Sequence, residues 1–315
     1  MRVAFLVATV GLVAACGTHP IQSTLPGPPT AEQLAELWTA PPAGRDLFYG
    51  IGGKTLAPDP SVSYTVVEIK RSGFSRGYTL KDPDGSEWSA KFPPEAPTEV
   101  TASRIVWGIG YHQPPIYFLP AFTLKDDLGK TVEVGGRFRL KDARLKETGL
   151  WKWEDNPFVG KKPYQGLIVL MMMFNSTDLK NTNNSLYEYR DGDLVQQWYV
   201  ARDLGAALGD YNPISPRKNH PETFETVPYL LGVNNGHAQF AYNGWYKNLV
   251  RDRITPEEIA WASELLGRLS DKQWSDAFRA AGYEPAVANR FIAKLKEKVD
   301  QGRALGARAA DRERQ

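Results

Sequence analysis

Apolar and polar positions along this chain change rhythm from a period of two to a period near 3.6. The change separates a strand-rich first part from a helix-rich second part. Thr30-Ala31-Glu32-Gln33 has capping-box spacing, and Leu34, Leu37 and Trp38 give the short helix after it an apolar face that Pro41 and Pro42 end. Tyr64 to Lys70 alternates and is β-branched. Tyr78 to Lys81 and Glu87 to Phe92 flank the turn sequence Asp82-Pro83-Asp84-Gly85, so residues 64–92 are predicted to be an antiparallel meander with a Gly-rich corner. Glu99 to Gly110 has a helical pattern, with Val100, Ile105, Val106 and Ile109 mostly on one side and Gly110 able to stop it. Tyr117 to Leu124 is a further strand, in which Pro120 marks an edge or an interruption.

Residues 125–156 are charged, contain Gly135-Gly136 and the pair Trp151 and Trp153, and are predicted to be an irregular connection. Gly166 to Phe174 is a continuous apolar run, buried as either helix or strand, and the residues before it allow a helix. Its Met171-Met172-Met173 reads as core packing. Trp198 to Ala201 is a short strand, and 210–225 is a polar, Pro-rich loop. Thr255-Pro256-Glu257-Glu258 and Ser270-Asp271-Lys272-Gln273 are capping boxes that start two helices, the second ended by Gly282. A third helix runs from Pro285 to about Gly302, ahead of a charged tail expected to fray.

The chain is long enough to bury a sizeable core, and its order of strands before helices predicts an α+β fold. The expected divisions are a signal segment at 1–15, a tether with a short helix at 16–45, a β-rich lobe at 46–124, a helical lobe at 125–302, and the tail at 303–315. A formal net charge of +2 supplies no field for nucleic acid, so none is expected as a partner. The four histidines have no metal-ligand spacing, and no Gly-x-Ser-x-Gly elbow occurs.

The single cysteine is informative by position. Arg2 gives a positive start, Val3 to Val13 form an apolar run too short to span a bilayer, and Leu12-Val13-Ala14-Ala15-Cys16 resembles a bacterial lipobox. That resemblance implies lipidation at Cys16, a lipid bilayer as partner, and a bacterial cell-envelope location on the extracytoplasmic side of a membrane. Multiple acyl chains, each contributing about 0.8 kcal/mol per buried CH₂, would hold such a terminus in place.

The candidate chemistry lies in the polar run Asn175 to Asn184, delivered by the apolar stretch before it and followed by Arg202-Asp203-Leu204-Gly205. Taken singly, Asp178, Asp203 and the asparagines fit turns and caps, and Lys91 fits a solvent-facing strand position. In order they say more. Asp178-Leu179-Lys180-Asn181-Thr182-Asn183 has the form Asp-x-Lys-x-x-Asn and resembles the catalytic loop of the protein-kinase-like superfamily. Asp203-Leu204-Gly205 resembles that superfamily's Asp-Phe-Gly triplet, Lys91 sits where its third-strand lysine stands, and Glu99 is placed as the ion-pair partner, with Glu95 competing.

The resemblance implies a bilobal fold, with a small antiparallel β lobe carrying one helix and a larger, mainly helical lobe. It implies Mg²⁺ and a nucleotide such as ATP as cofactors. Asp178 would orient or deprotonate the acceptor hydroxyl, and Lys180 would steady the transferring phosphoryl. Asn183 and Asp203 would hold the metal. Lys91 would grip phosphates, and the backbone near Gly73 and Gly77 would cover the nucleotide.

Three departures point to an atypical branch, similar to HipA-like or lipid kinases. Ser176-Thr177 replaces the usual His-Arg, the Gly73-Phe74-Ser75-Arg76-Gly77 turn lacks the full glycine pattern, and no Ala-Pro-Glu follows Asp203. Glu99-Val100-Thr101-Ala102-Ser103-Arg104 resembles the corresponding helix of that branch. The acceptor, a protein or a small molecule, is not specified. Export would remove the site from the cytoplasmic nucleotide pool, so the alternative expectation is an inactive envelope lipoprotein using the scaffold for binding. A metal-dependent hydrolase built on Asp178 and Asp203 is a third, and it leaves Lys91 and Lys180 without a role.

Overall fold

The computed structural model describes residues 20–70, 77–125, 129–212 and 217–314; the expected signal segment at 1–15, Cys16 and Gly73 lie outside them. The first elements in chain order are β1 (Gln22–Ser23), α1 (Ala31–Ala35), β2 (Ser63–Lys70), β3 (Gly77–Lys81), β4 (Glu87–Lys91), α2 (Glu95–Gly108), β5 (Ile116–Lys125) and β6 (Thr131–Leu140). There follow β7 (Leu145–Gly149), β8 (Asp155–Asn156), α3 (Lys162–Met173), β9 (Asn184–Asp191) and β10 (Leu194–Ala201). The chain continues through α4 (Pro221–Thr226), β11 (Leu230–Asn234), β12 (His237–Phe240), α5 (Lys247–Val250), α6 (Pro256–Gly267), α7 (Asp271–Arg279) and α8 (Pro285–Glu313).

The meander forms as the alternation predicts. Inward positions Tyr64, Leu80, Trp88, Ala90, Phe122 and Phe138 fill one aromatic-rich core. The sheet is a closed barrel ordered β2-β3-β4-β6-β5, and β2 and β5 pair in parallel, so the expected purely antiparallel lobe is corrected. Nor does the β-rich unit stop at 124. The segment expected to be irregular supplies β6, the strand that closes the barrel against both β4 and β5.

Gly135-Gly136 reads as a breaker, yet it serves close approach. A Cβ on Gly135 would lie 2.6 Å from the Pro120 carbonyl oxygen, and one on Gly136 would lie 3.1 Å from that of Lys91. Pro120 itself sits at a register shift between Leu119 and Phe122, an interruption inside the barrel.

Helix α2 starts at Glu95, a turn earlier than expected, and is buried on nearly every side instead of along one stripe. It lies between the barrel and the helical part, where Thr98 bonds the Tyr283 hydroxyl and Thr101 donates to the Ala277 carbonyl. A separate sheet is ordered β10-β9-β7, and two of its strands fall where irregular or polar sequence gave no strand signal.

The second part is built on α3, α6, α7 and α8 around one large core that includes Leu167, Leu170, Met172, Ile259, Leu266, Trp274, Phe278 and Phe291. Both capping boxes predicted in this part form, at Thr255 and Ser270. Helix α8 does not end near Gly302. It continues to Glu313 with Leu305 buried and Arg303 paired to Glu264, so the expected frayed tail is helix. The whole is a five-stranded β-rich core packed against a mainly helical region, an arrangement consistent with a bilobal α+β architecture. Among the described residues no helix is long and apolar enough to cross a membrane.

Candidate functional site

Strand alternation decides where Lys91 points. Trp88 and Ala90 of β4 face the barrel core, so Lys91 faces outward, toward α2. There its Nζ lies 2.9 Å from Asp203 Oδ1 and 3.6 Å from Glu99 Oε2. Glu95, the competing acid, pairs instead with Lys218 at 2.5 Å. Gly77 is the cross-strand partner of Lys91 at the first residue of β3.

A second cation, which the sequence reading missed, completes the cluster. Arg137 of β6 is fully buried, places Nη2 3.2 Å from Glu99 Oε1, and donates Nη1 to the Ser89 carbonyl at 2.8 Å. Burial pushes the Arg137 guanidinium below its ordinary value, an effect that Glu99 and Asp203 oppose. The signal that could have found it is the alternation of Arg137 with Phe138, hidden by the reading of 125–156 as irregular.

Asp203 follows β10 with a φ of 54°, a left-handed conformation that Asp tolerates better than most residues. Burial alone would push its carboxyl up. The charges of Lys91, Arg139 and Arg137, with the Lys91 hydrogen bond, outweigh burial and hold it below the usual carboxylate range. Gly205 lies under the start of α2, where a Cβ would meet the Glu95 Cβ at 2.8 Å. Beside Asp203, Arg202 donates Nη1 to the Tyr187 hydroxyl at 2.9 Å and to Glu147 at 3.0 Å.

The polar run leaves the end of α3 and is held at its base. Asn175 is buried with a φ of 54°, and its Nδ2 donates to the Gly209 carbonyl at 2.7 Å. Two backbone bonds then lay the run alongside the Asp203 segment. The Thr177 N–H donates to the Ala206 carbonyl at 3.0 Å, and the Arg202 N–H donates to the Asn183 carbonyl at 2.9 Å. Between these ties, Lys180 Nζ lies 3.1 Å from Asp178 Oδ1, and Asn183 Nδ2 donates to the Asp178 carbonyl at 3.0 Å. Asn181 to Asn183 form one 3₁₀ turn before β9 begins.

Burial, then the charges of Asp178 and Glu154, push the Tyr246 phenol up to about 12.

Lys91, Glu99 and Asp203 therefore meet in one cluster, and Asp178, Lys180 and Asn183 meet in a second, with backbone bonds joining the two segments. Among the described residues no group of three or more His, Cys, Asp or Glu side chains is placed to hold a metal. Magnesium needs fewer, since it keeps waters and substrate phosphates as ligands. Asp203 gives only Oδ1 to Lys91, and Asn183 bonds through Nδ2, so a carboxylate oxygen and an amide oxygen of the hard type remain. The cavity lined by Glu99, Arg139, Arg202 and Asp203 measures about 10 Å³, the room of a single water.

No family model matches the chain. None of the curated proteins compared with it matches either. Among solved structures, the crystal structure of a Helicobacter pylori proinflammatory kinase, CtkA, is similar over 79% of this chain and 99% of that chain, at 12% sequence identity and a TM-score of 0.43. At that score the likeness is distant and of low identity.

Proposed function

We propose that the two joined clusters form one atypical kinase-like site, on a protein-kinase-like fold, that moves a phosphoryl group from a nucleotide to an acceptor hydroxyl. The observation that carries the reading is Lys91, hydrogen-bonded to Asp203 and paired by charge with Glu99, while the run bearing Asp178 is tied to the Asp203 segment at two points. Phosphoryl transfer needs positioning and charge neutralisation more than covalent help, and these residue types supply both. Magnesium, when bound, supplies neutralisation of the phosphate charge; Asp203 and Asn183 would hold it. Lys91 grips the phosphates from the barrel side with its orientation fixed by Glu99. Asp178 accepts the proton of the attacking hydroxyl, and Lys180 stands beside it for the transferring group. Through Cys16 the site is tethered to a membrane.

A specific observation favours a second reading. Lys91 Nζ and Asp203 Oδ1 neutralise each other at 2.9 Å, which fits a scaffold that binds a partner without turnover. An assay with nucleotide labelled in its terminal phosphate separates the two. The kinase-like reading expects loss of label from the nucleotide, to acceptor or to water, and a drop of about 10²-fold or more in Asp178→Asn. No turnover above background in the wild-type chain, or an unchanged rate in Asp178→Asn, contradicts it.

A further inference from the structure

Lys298 of α8 is a lysine in the middle of an apolar face, on the same side as Phe291 and Leu295, and it is fully buried. A long cationic side chain is seldom buried without a partner acid. Here the partners are neutral. Its Nζ donates to the Met173 carbonyl at 2.7 Å and to Asn175 Oδ1 at 2.7 Å. It lies 4.2 Å from the centre of the Phe224 ring and 5.7 Å from that of Tyr229. Met173 is the last residue of α3, where carbonyls lack helical partners and the helix dipole favours a positive group.

The second acceptor matters more. Asn175 is the left-handed residue that turns the chain from α3 into the polar run, and its two side-chain ends are used in opposite directions. Oδ1 receives Lys298, and Nδ2 reaches the Gly209 carbonyl. Next to it, Leu208 N–H donates to the Phe174 carbonyl at 2.8 Å and Ser176 N–H to the Met171 carbonyl at 2.8 Å. One amide side chain thus joins α8, the end of α3, and the segment beyond Asp203. Removing the lysine donor leaves two buried acceptors unpaired at the point where the run departs.

We infer that Lys298 is a positioning residue: through Asn175 it sets the course of residues 175–184 and so fixes Asp178 against the Asp203 segment. The titratable groups around it are Tyr229 from the facing core, and Lys294 and Glu297 from its own helix. Burial holds its amine well below the ordinary lysine value, consistent with an enclosed site.

The inference bears on the proposed site, yet hydrogen exchange decides it without nucleotide, so a chain that binds none leaves the test intact. In the full chain, Lys298→Met is expected to speed amide exchange at least tenfold across 175–184 and 204–209. Exchange in 162–172 and 256–267 stays as in the wild type. In Lys298→Ala, added n-propylamine, whose three carbons and nitrogen match the atoms lost beyond Cβ, is expected to restore the slow exchange. Unchanged exchange across 175–184, or equal loosening of all four segments with no rescue by the amine, overturns the inference.

Discussion

At the scale of single residues, Glu99 carries the greatest load. It is buried between Lys91 and Arg137, and one acid with two cations leaves it little freedom of direction. Breaking a buried pair by removing one partner is strongly destabilising. Arg137→Met is therefore expected to cost about 3 kcal/mol or more of stability, read from urea unfolding.

The Asp203 carboxyl is held below its unfolded value, so the sign of its pH effect is fixed. Its contribution is fully present above about 3.9, the unfolded value, and is lost as pH falls through the folded one. Between pH 5 and pH 2 the wild-type chain should lose more stability than Asp203→Asn, measured by thermal unfolding; equal losses would remove the ion pair from the account.

Lys91, Glu99 and Asp203 were legible as a group because motif order names them with no knowledge of packing. Arg137, Asn175 and Lys298 were not, since each gains its meaning from a contact far away in sequence. Lys298 left one trace, a charge on an apolar helical face. Gly73 and Cys16 stand where they stood as expectations, outside the described residues.

At the scale of elements, local chemistry was read well and long-range pairing poorly. Capping boxes at Thr30, Thr255 and Ser270 form because a side chain and its partner three residues on decide them. Strand β6 was lost because two glycines look like a break until the barrel that crowds them is known. Strand β9 was lost because its first residue, Asn184, closes the polar run, and its pairing with β7 and β10 supplies the order.

Helix α8 overran its expected end for a tertiary reason. Leu305 is buried and Gly306 lets the helix lie against Ala260, where an added Cβ would come within 2.3 Å. Removing residues 303–315 uncovers that face of α6. The truncated chain is expected to lose about 2 kcal/mol, the worth of burying a leucine, with a lower thermal midpoint. A truncation without effect would mean that the last turns are not held.

At the scale of the molecule, the α+β order was visible in the switch of period along the chain, while the closed barrel was not. Helix α2 carries Glu99 to the barrel on one side and meets α7 on the other, and β10 hands Asp203 back to the same place. The two parts of the chain thus contribute to one cluster, which is what a site between them requires.

Calorimetric titration of a magnesium–nucleotide complex into the purified chain puts this directly to the test. The account expects saturable binding that weakens sharply without magnesium and at least tenfold in Asp203→Ala. No heat of binding in the wild type under any metal condition, or equal binding in Asp203→Ala, would contradict the proposed site.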